Sequence, residues 1–283
     1  MTGRPRVTNE LENAIQKLVE VVAEQDAIRA IGLSGGDRAL PEPGKGDIDL
    51  FIYCSVIPAS QHRADVLNSH PKLIQIGETG LMENGHWGQA DRVWLQGVET
   101  WMMYFTVAEA RSELEAILAG QYLGREDSEF YPIGRGALWN GMRVLYDPDG
   151  ILQSLKNRLA EYPPKLALKV IDYHLKALQD VEDLQRAVQR KDVLFFHYAL
   201  DLALDHFLLA LFALNREYFP SRKRSEVFIH KFKVKPADCE DRLRHVIRLG
   251  GQADTLDQSY EILGSLERDL TALVEIGRPN PAE

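Results

Sequence analysis

Apolar residues recur every three or four positions between 9 and 25, where Leu11, Ile15, Leu18, Val21 and Val22 share one face. That spacing predicts an amphipathic helix. The period then shortens to two. The runs IRAIGLS (28–34) and DIDLFIYC (47–54) are β-like and are separated by a loop rich in Gly and Pro. KLIQIGE (72–78), DRVWLQ (91–96) and VETWMMYFTV (98–107) continue the strand character, with Gly97 turning the chain between the last two. VAEARSELEAILAG (107–120) reads as a helix closed by a glycine, and MRVLYDPDG (142–150) as a short strand and turn.

Beyond about residue 150 the strand-like runs stop and long helical periods take over, at 164–190, 192–215, 237–249 and 254–276. Tyr162-Pro163-Pro164 is a natural junction. The pattern predicts an α/β N-terminal domain over 1–150, a mixed sheet with flanking helices, followed by an all-α helical bundle domain over 151–283. The most apolar stretch, 193–214, is interrupted by His197, Asp201, Asp205 and His206, so it predicts a buried helix and not a membrane span.

The net charge of −9 over 283 residues argues against nucleic acid as a partner, because phosphate binding needs a basic field. The two cysteines, Cys54 and Cys239, form no disulfide framework, and the N-terminus shows no apolar signal region. A cytoplasmic protein is therefore expected. Cys54 reads as a buried strand residue.

The stretch LSGGDRALPEPGKGDIDLFIYC, 33–54, carries the candidate chemistry. In a strand, Asp47 and Asp49 point to one face while Ile48 and Leu50 point to the other. Two carboxylates on one face repel unless a cation lies between them. Mg²⁺ suits the pair, being a hard ion that takes one or two carboxylates together with substrate phosphates. Ser34, Gly35 and Gly36 let backbone N–H groups approach a phosphate, and Arg38 and Lys45 lie on the loop that follows. These features converge on a metal-bound nucleoside triphosphate.

A Gly-Gly pair, ten residues and then DIDL resembles the signature of the nucleotidyltransferase superfamily, which includes DNA polymerase β and the antibiotic adenylyltransferases. FALNREYFPSRKR, 212–224, resembles the helical C-terminal region of a poorly characterised bacterial nucleotidyltransferase-like family. The resemblance implies a third carboxylate on a later strand. GVETWMMYF looks like that strand, with Glu99 at the acidic position and Asp91 as the competitor. It further implies two Mg²⁺ ions held by Asp47, Asp49 and Glu99, with Glu99 as ligand or general base. The implied reaction moves an NMP, AMP from ATP in the first instance, onto a hydroxyl of a small-molecule or protein acceptor and releases pyrophosphate. Asp37 after the glycine pair and Gly46 before the first Asp depart from the pattern. They make a weak or inactive nucleotide-binding, antitoxin-like relative the alternative.

Other residues complete the expectation. Lys223, with Asn215 and Tyr218, is expected to face the triphosphate from the helical domain. His197, Asp201 and Asp205 share one helical face and read as a polar stripe. Arg224 and His230 have a spacing seen in helical ribonucleases associated with such nucleotidyltransferases, and chance gives the same spacing often. His86-Trp87 is either a flap over the base or a locally packed loop.

Overall fold

The computed structural model describes residues 4–36, 38–81, 86–126, 130–179, 182–223 and 225–277, without the side chains of 4–9 and 81. In chain order the elements are α1 (Arg4–Ala23), β1 (Ile28–Leu33), β2 (Asp47–Cys54), α2 (Ser60–Asn68), β3 (Gln75–Leu81), β4 (Gln89–Leu95) and β5 (Val98–Thr106). They continue with α3 (Val107–Leu118), α4 (Gly134–Asn140), β6 (Arg143–Tyr146), α5 (Ile151–Leu159), α6 (Pro164–Gln179) and α7 (Glu182–Arg190). The rest are α8 (Val193–Leu214), α9 (Ser225–Ile229), α10 (Cys239–Leu249) and α11 (Leu256–Gly277).

The chain forms two compact units, Met1–Ala116 with Leu138–Glu161, and Ile117–Ala137 with Tyr162–Glu283. They interleave along the chain, where the sequence suggests a single junction near 150. The cause is β6, which pairs antiparallel with β1 and so draws 138–161 back to the sheet. Trp139 reinforces the return by donating its indole N–H to Tyr53 Oη at 2.7 Å.

The first unit is built on a six-stranded sheet in the order β3-β4-β5-β2-β1-β6. The sheet is mixed: β2 and β5 run parallel and the other pairs antiparallel. Strand alternation sorts the side chains. Ile48, Leu50, Ile52 and Cys54 of β2 join Val93, Leu95, Val98, Met102 and Tyr104 in a core closed by the apolar stripe of α1, Leu11, Ile15, Leu18 and Val22. Cys54 is wholly buried there, and burial pushes its thiol up to about 12. The same face buries an ion pair that the sequence pattern does not announce. Arg63 of α2 reaches Asp91 of β4 at 2.8 Å, with both side chains fully buried.

The second unit is helical. The long period at 164–190 divides into α6 and α7, and α6 packs along α8. Asp192 caps α8 by accepting the N–H of Phe195 at 3.0 Å. Among the described residues α8 alone is long and apolar enough to cross a membrane. Half of its most apolar stretch is buried within the protein. Its two aspartates, Asp201 and Asp205, are held in ion pairs with Arg125 and Arg222.

Candidate functional site

The sheet face opposite α1 carries the candidate chemistry. The parallel register sets Asp47 beside Glu99, Asp49 beside Trp101 and Phe51 beside Met103. Register partners on adjacent strands point the same way, so Asp47, Asp49 and Glu99 occupy one face. Asp47 is exposed, and Asp49 and Glu99 are partly buried. Asp91 pairs with Met102, a core residue, and therefore points through the opposite face. Its carboxylate accepts from Arg63 Nε and Nη2, at 2.8 and 3.1 Å, and from the Gly80 N–H at 2.9 Å. Asp91 is committed to the core, which leaves Glu99 as the later-strand acid on the face of Asp47.

The end of β1 lies against this pair of acids. Ser34 N–H donates to the Asp49 carbonyl at 2.9 Å, and the chain then turns through Gly35 and Gly36 at φ 96° and 62°. Two successive left-handed residues need glycine. At Gly36 a β-carbon would also lie 2.9 Å from the Gly141 carbonyl oxygen. Arg38 folds back over the turn, its Nε donating to the Gly35 carbonyl at 2.9 Å. Lys45 is held locally by Glu42 at 2.6 Å, and that hydrogen bond and the carboxylate's charge raise its pKa. Ser34, Gly35, Gly36, Arg38, Asp47, Asp49 and Glu99 thus share one region of the first unit. Asp37 lies outside the described residues.

Asp47 and Asp49 suit a hard divalent cation. They offer oxygen donors only, two residues apart on one strand face, with Asp47 open to solvent. Glu99 is differently placed. The Arg92 guanidinium lies 3.5 Å from its Oε1. Among the described residues no group of three or more His, Cys, Asp or Glu side chains is assembled that could hold a metal ion. Asp47 and Asp49 thus offer two carboxylates to one cation from a single strand face, and Glu99 faces the Arg92 guanidinium.

A family model described as a domain of unknown function (DUF4037) matches residues 137–224. That span holds Asn215, Tyr218 and Lys223, and it excludes Asp47, Asp49 and Glu99. No curated protein matches. Among solved structures, the chain is similar to a nucleotidyltransferase-like protein from Exiguobacterium sibiricum 255-15, at 10% identity and a TM-score of 0.46. That likeness covers 94% of this chain and 74% of the other.

Asn215, Tyr218 and Lys223 belong to the second unit. Asn215 ends α8, with Nδ2 donating to the carbonyls of Leu211 and Val234 at 3.0 and 2.7 Å and Oδ1 accepting the Val234 N–H at 3.2 Å. Its amide is spent on local structure, so the expected triphosphate contact has no free group at Asn215. Tyr218 is buried with its ring 4.6 Å from that of Tyr162, and burial pushes its phenol up to about 12. Lys223 is exposed.

Arg222, beside it, does what the basic cluster does not advertise. It bonds Asp201 and, through Nε at 2.6 Å, Asp205, which also accepts from Tyr131 Oη at 3.0 Å. Burial raises the Asp205 pKa in spite of the two guanidiniums beside it. Asp201 and Asp205 of the stripe read on α8 thus share a charge network, while His197 is exposed. Arg224 lies outside the described residues, and His230 is exposed and 3.7 Å from Glu240. Trp87 packs edge-on against Phe51 at 6.2 Å, on the sheet face of the acids. An open groove in the second unit, lined by Leu178, Arg242, His245 and Tyr260 among others, contains none of the candidate residues.

Proposed function

We propose that this protein is a metal-dependent nucleotidyltransferase that moves an NMP from a nucleoside triphosphate, ATP in the first instance, to a hydroxyl of a small-molecule or protein acceptor. The observation that carries this reading is the placement of Asp47 and Asp49 on one strand face directly beside a turn of two left-handed glycines. Two carboxylates on one face suit a cation, and the glycine turn lets a phosphate approach the backbone with no β-carbon in the way. When bound, the divalent cation, Mg²⁺ here, neutralises phosphate charge and orients the triphosphate. The residues do the rest. Asp47 and Asp49 hold that cation, Ser34 to Gly36 cradle the phosphates, and Glu99 takes the proton of the attacking hydroxyl. The acceptor oxygen bonds to the α-phosphorus as the α–β bridging bond breaks, and pyrophosphate departs with that electron pair.

The partnering of Glu99 by Arg92 favours a second reading, a nucleotide-binding relative that does not turn over. One experiment addresses both. ATP binding is titrated calorimetrically with and without Mg²⁺ for the native protein and for Asp47→Asn, and pyrophosphate release is followed with cell extract as the acceptor source. Asp47→Asn should weaken Mg²⁺-dependent ATP binding about ten- to a hundredfold, the worth of one charge-assisted contact. Unchanged binding refutes the site. Binding with no pyrophosphate from any extract selects the second reading.

A further inference from the structure

Arg92 stands where the resemblance to nucleotidyltransferases implies a second metal ion. It lies in the middle of β4, paired across the sheet with Glu78 of β3 on one side and Trp101 of β5 on the other. Alternation puts its side chain on the face of Asp47 and Asp49, since Trp101 is the register partner of Asp49. Four groups fix the guanidinium. Nη2 donates to Glu78 Oε2 at 2.5 Å, and Nη1 lies 3.5 Å from Glu99 Oε1. The rings of Trp94 and Trp101 flank it at 5.4 and 5.5 Å. A cation held by two indoles and two carboxylates cannot leave without losing all four contacts.

We infer that this face binds one divalent cation, on Asp47 and Asp49, that Arg92 supplies the positive charge a second cation would bring, and that Glu99 is not a metal ligand. The inference rests on the nucleotidyl-transfer reading above. A divalent ion on Glu99 would sit within a few ångströms of a fixed guanidinium, and like charges that close repel strongly. A carboxylate that already shares Arg92 with Glu78 also offers such an ion less in return. Mg²⁺ is demanding in geometry and dehydrates reluctantly, so a ligand compromised in this way does not hold it. The arrangement of the other acids agrees. Two carboxylates balance one divalent charge, and no third His, Cys, Asp or Glu joins them among the described residues. Glu99, relieved of a ligand's role, is left to handle the acceptor's proton.

The test counts metal ions directly. Mn²⁺ binding is measured by electron paramagnetic resonance in the presence of a non-hydrolysable ATP analogue, and only sites that Asp47→Asn weakens about tenfold or more are scored. Tryptophan fluorescence confirms that each variant is folded. The native protein should bind one such ion per chain. Glu99→Gln should still bind one, with affinity within about threefold of native, because no ligand is lost. Arg92→Met should gain a second ion, and Arg92→Met with Glu99→Gln should lose it again.

Two ions in the native protein, or a Glu99→Gln affinity reduced by about tenfold or more, overturns the inference while leaving the transferase reading standing. An Arg92→Met protein that folds and still binds one ion also overturns it. Should that variant not fold, Glu99→Gln decides alone. No ion dependent on Asp47 in any protein overturns the transferase reading itself.

Discussion

Replacing Asp91 by asparagine tests how the sheet separates a structural acid from the candidate site acids. Asp91 and Arg63 are fully buried at the side chain, and five contacts tie them down. Asp91 accepts twice from Arg63 and once from Gly80, while Arg63 Nη1 also donates to the Pro58 carbonyl at 2.6 Å and to Gln89 Oε1 at 3.0 Å. The ring of Tyr104 lies 4.5 Å from the guanidinium. Asparagine removes the negative charge and turns one acceptor into a donor aimed at other donors. A buried guanidinium is then left without its counter-charge, and breaking such a pair costs about 3–5 kcal/mol. Domains are typically stable by only about 5–15 kcal/mol, so a large share is lost.

The assay can be confined to this unit, because all four tryptophans, 87, 94, 101 and 139, lie within it. Urea unfolding followed by tryptophan fluorescence should show the midpoint falling by about 2 M at a slope near 2 kcal/mol/M. The double replacement Asp91→Leu with Arg63→Met should recover most of the loss, since apolar substitutes of similar volume strand no charge. It should remain about 1–2 kcal/mol below native, because Gly80 N–H and the Pro58 carbonyl lose partners. A single variant within about 1 kcal/mol of native, or a double variant no better than the single, would refute the reasoning.

Two further outcomes are expected. Gly36→Ala should destabilise the turn by about 1 kcal/mol or more, through its left-handed backbone and the 2.9 Å approach to Gly141, and should weaken ATP binding in the same titration; unchanged affinity would remove the turn from the site. His174, pushed down to about 3 by burial and by His206 at 2.8 Å, must fold uncharged, as must His206, lowered by burial and Arg125. The unfolded chain binds those protons near 6.5, so this contribution is complete above that pH and is lost as pH falls toward 3, at about 1.4 kcal/mol per unit for one histidine. Circular dichroism of the native protein and of His174→Gln between pH 7 and 4.5 should show the variant with the shallower slope.

The opening strand was legible because its chemistry is local. Alternation alone places Asp47 and Asp49 opposite Ile48 and Leu50, and the glycine pair marks the turn before them. The later acid needed more. That Glu99 sits beside Asp47 depends on β5 pairing in parallel with β2, a strand more than forty residues earlier, and no local pattern reports a register between distant strands. Asp91 was more readable than it looked. It alternates with Val93 and Leu95, which assigns it to the apolar face, but its partner Arg63 comes from α2, whose weak apolar pattern does not predict a helix.

The same limit explains the second unit. Asp201 and Asp205 are one helical turn apart and visibly share a face, whereas Arg125 reaches them from a segment far earlier in the chain and Arg222 from the turn beyond the end of α8. The interleaving of the units was hidden for a related reason. The strand at 143–146 is short and could close any sheet edge, and only its pairing with β1 brings 138–161 back.

Asp47 of β2, Asp91 of β4 and Glu99 of β5 differ chiefly in how their charge is compensated, and this separates fold from function. Asp91 is fully buried and fully paired, so its charge is spent on the native state and is not available to a ligand. Glu99 shares Arg92 with Glu78 and remains partly open. Asp47 is exposed, and water solvates its charge at little cost to stability. An acid whose loss should leave the unfolding midpoint unchanged yet weaken metal-dependent binding about ten- to a hundredfold is one the fold does not need. Asp47→Asn and Asp91→Asn, the same atomic change on opposite faces of one sheet, should therefore fail in opposite assays. If both variants lose stability alike, the compensation that distinguishes these carboxylates is not what assigns their roles.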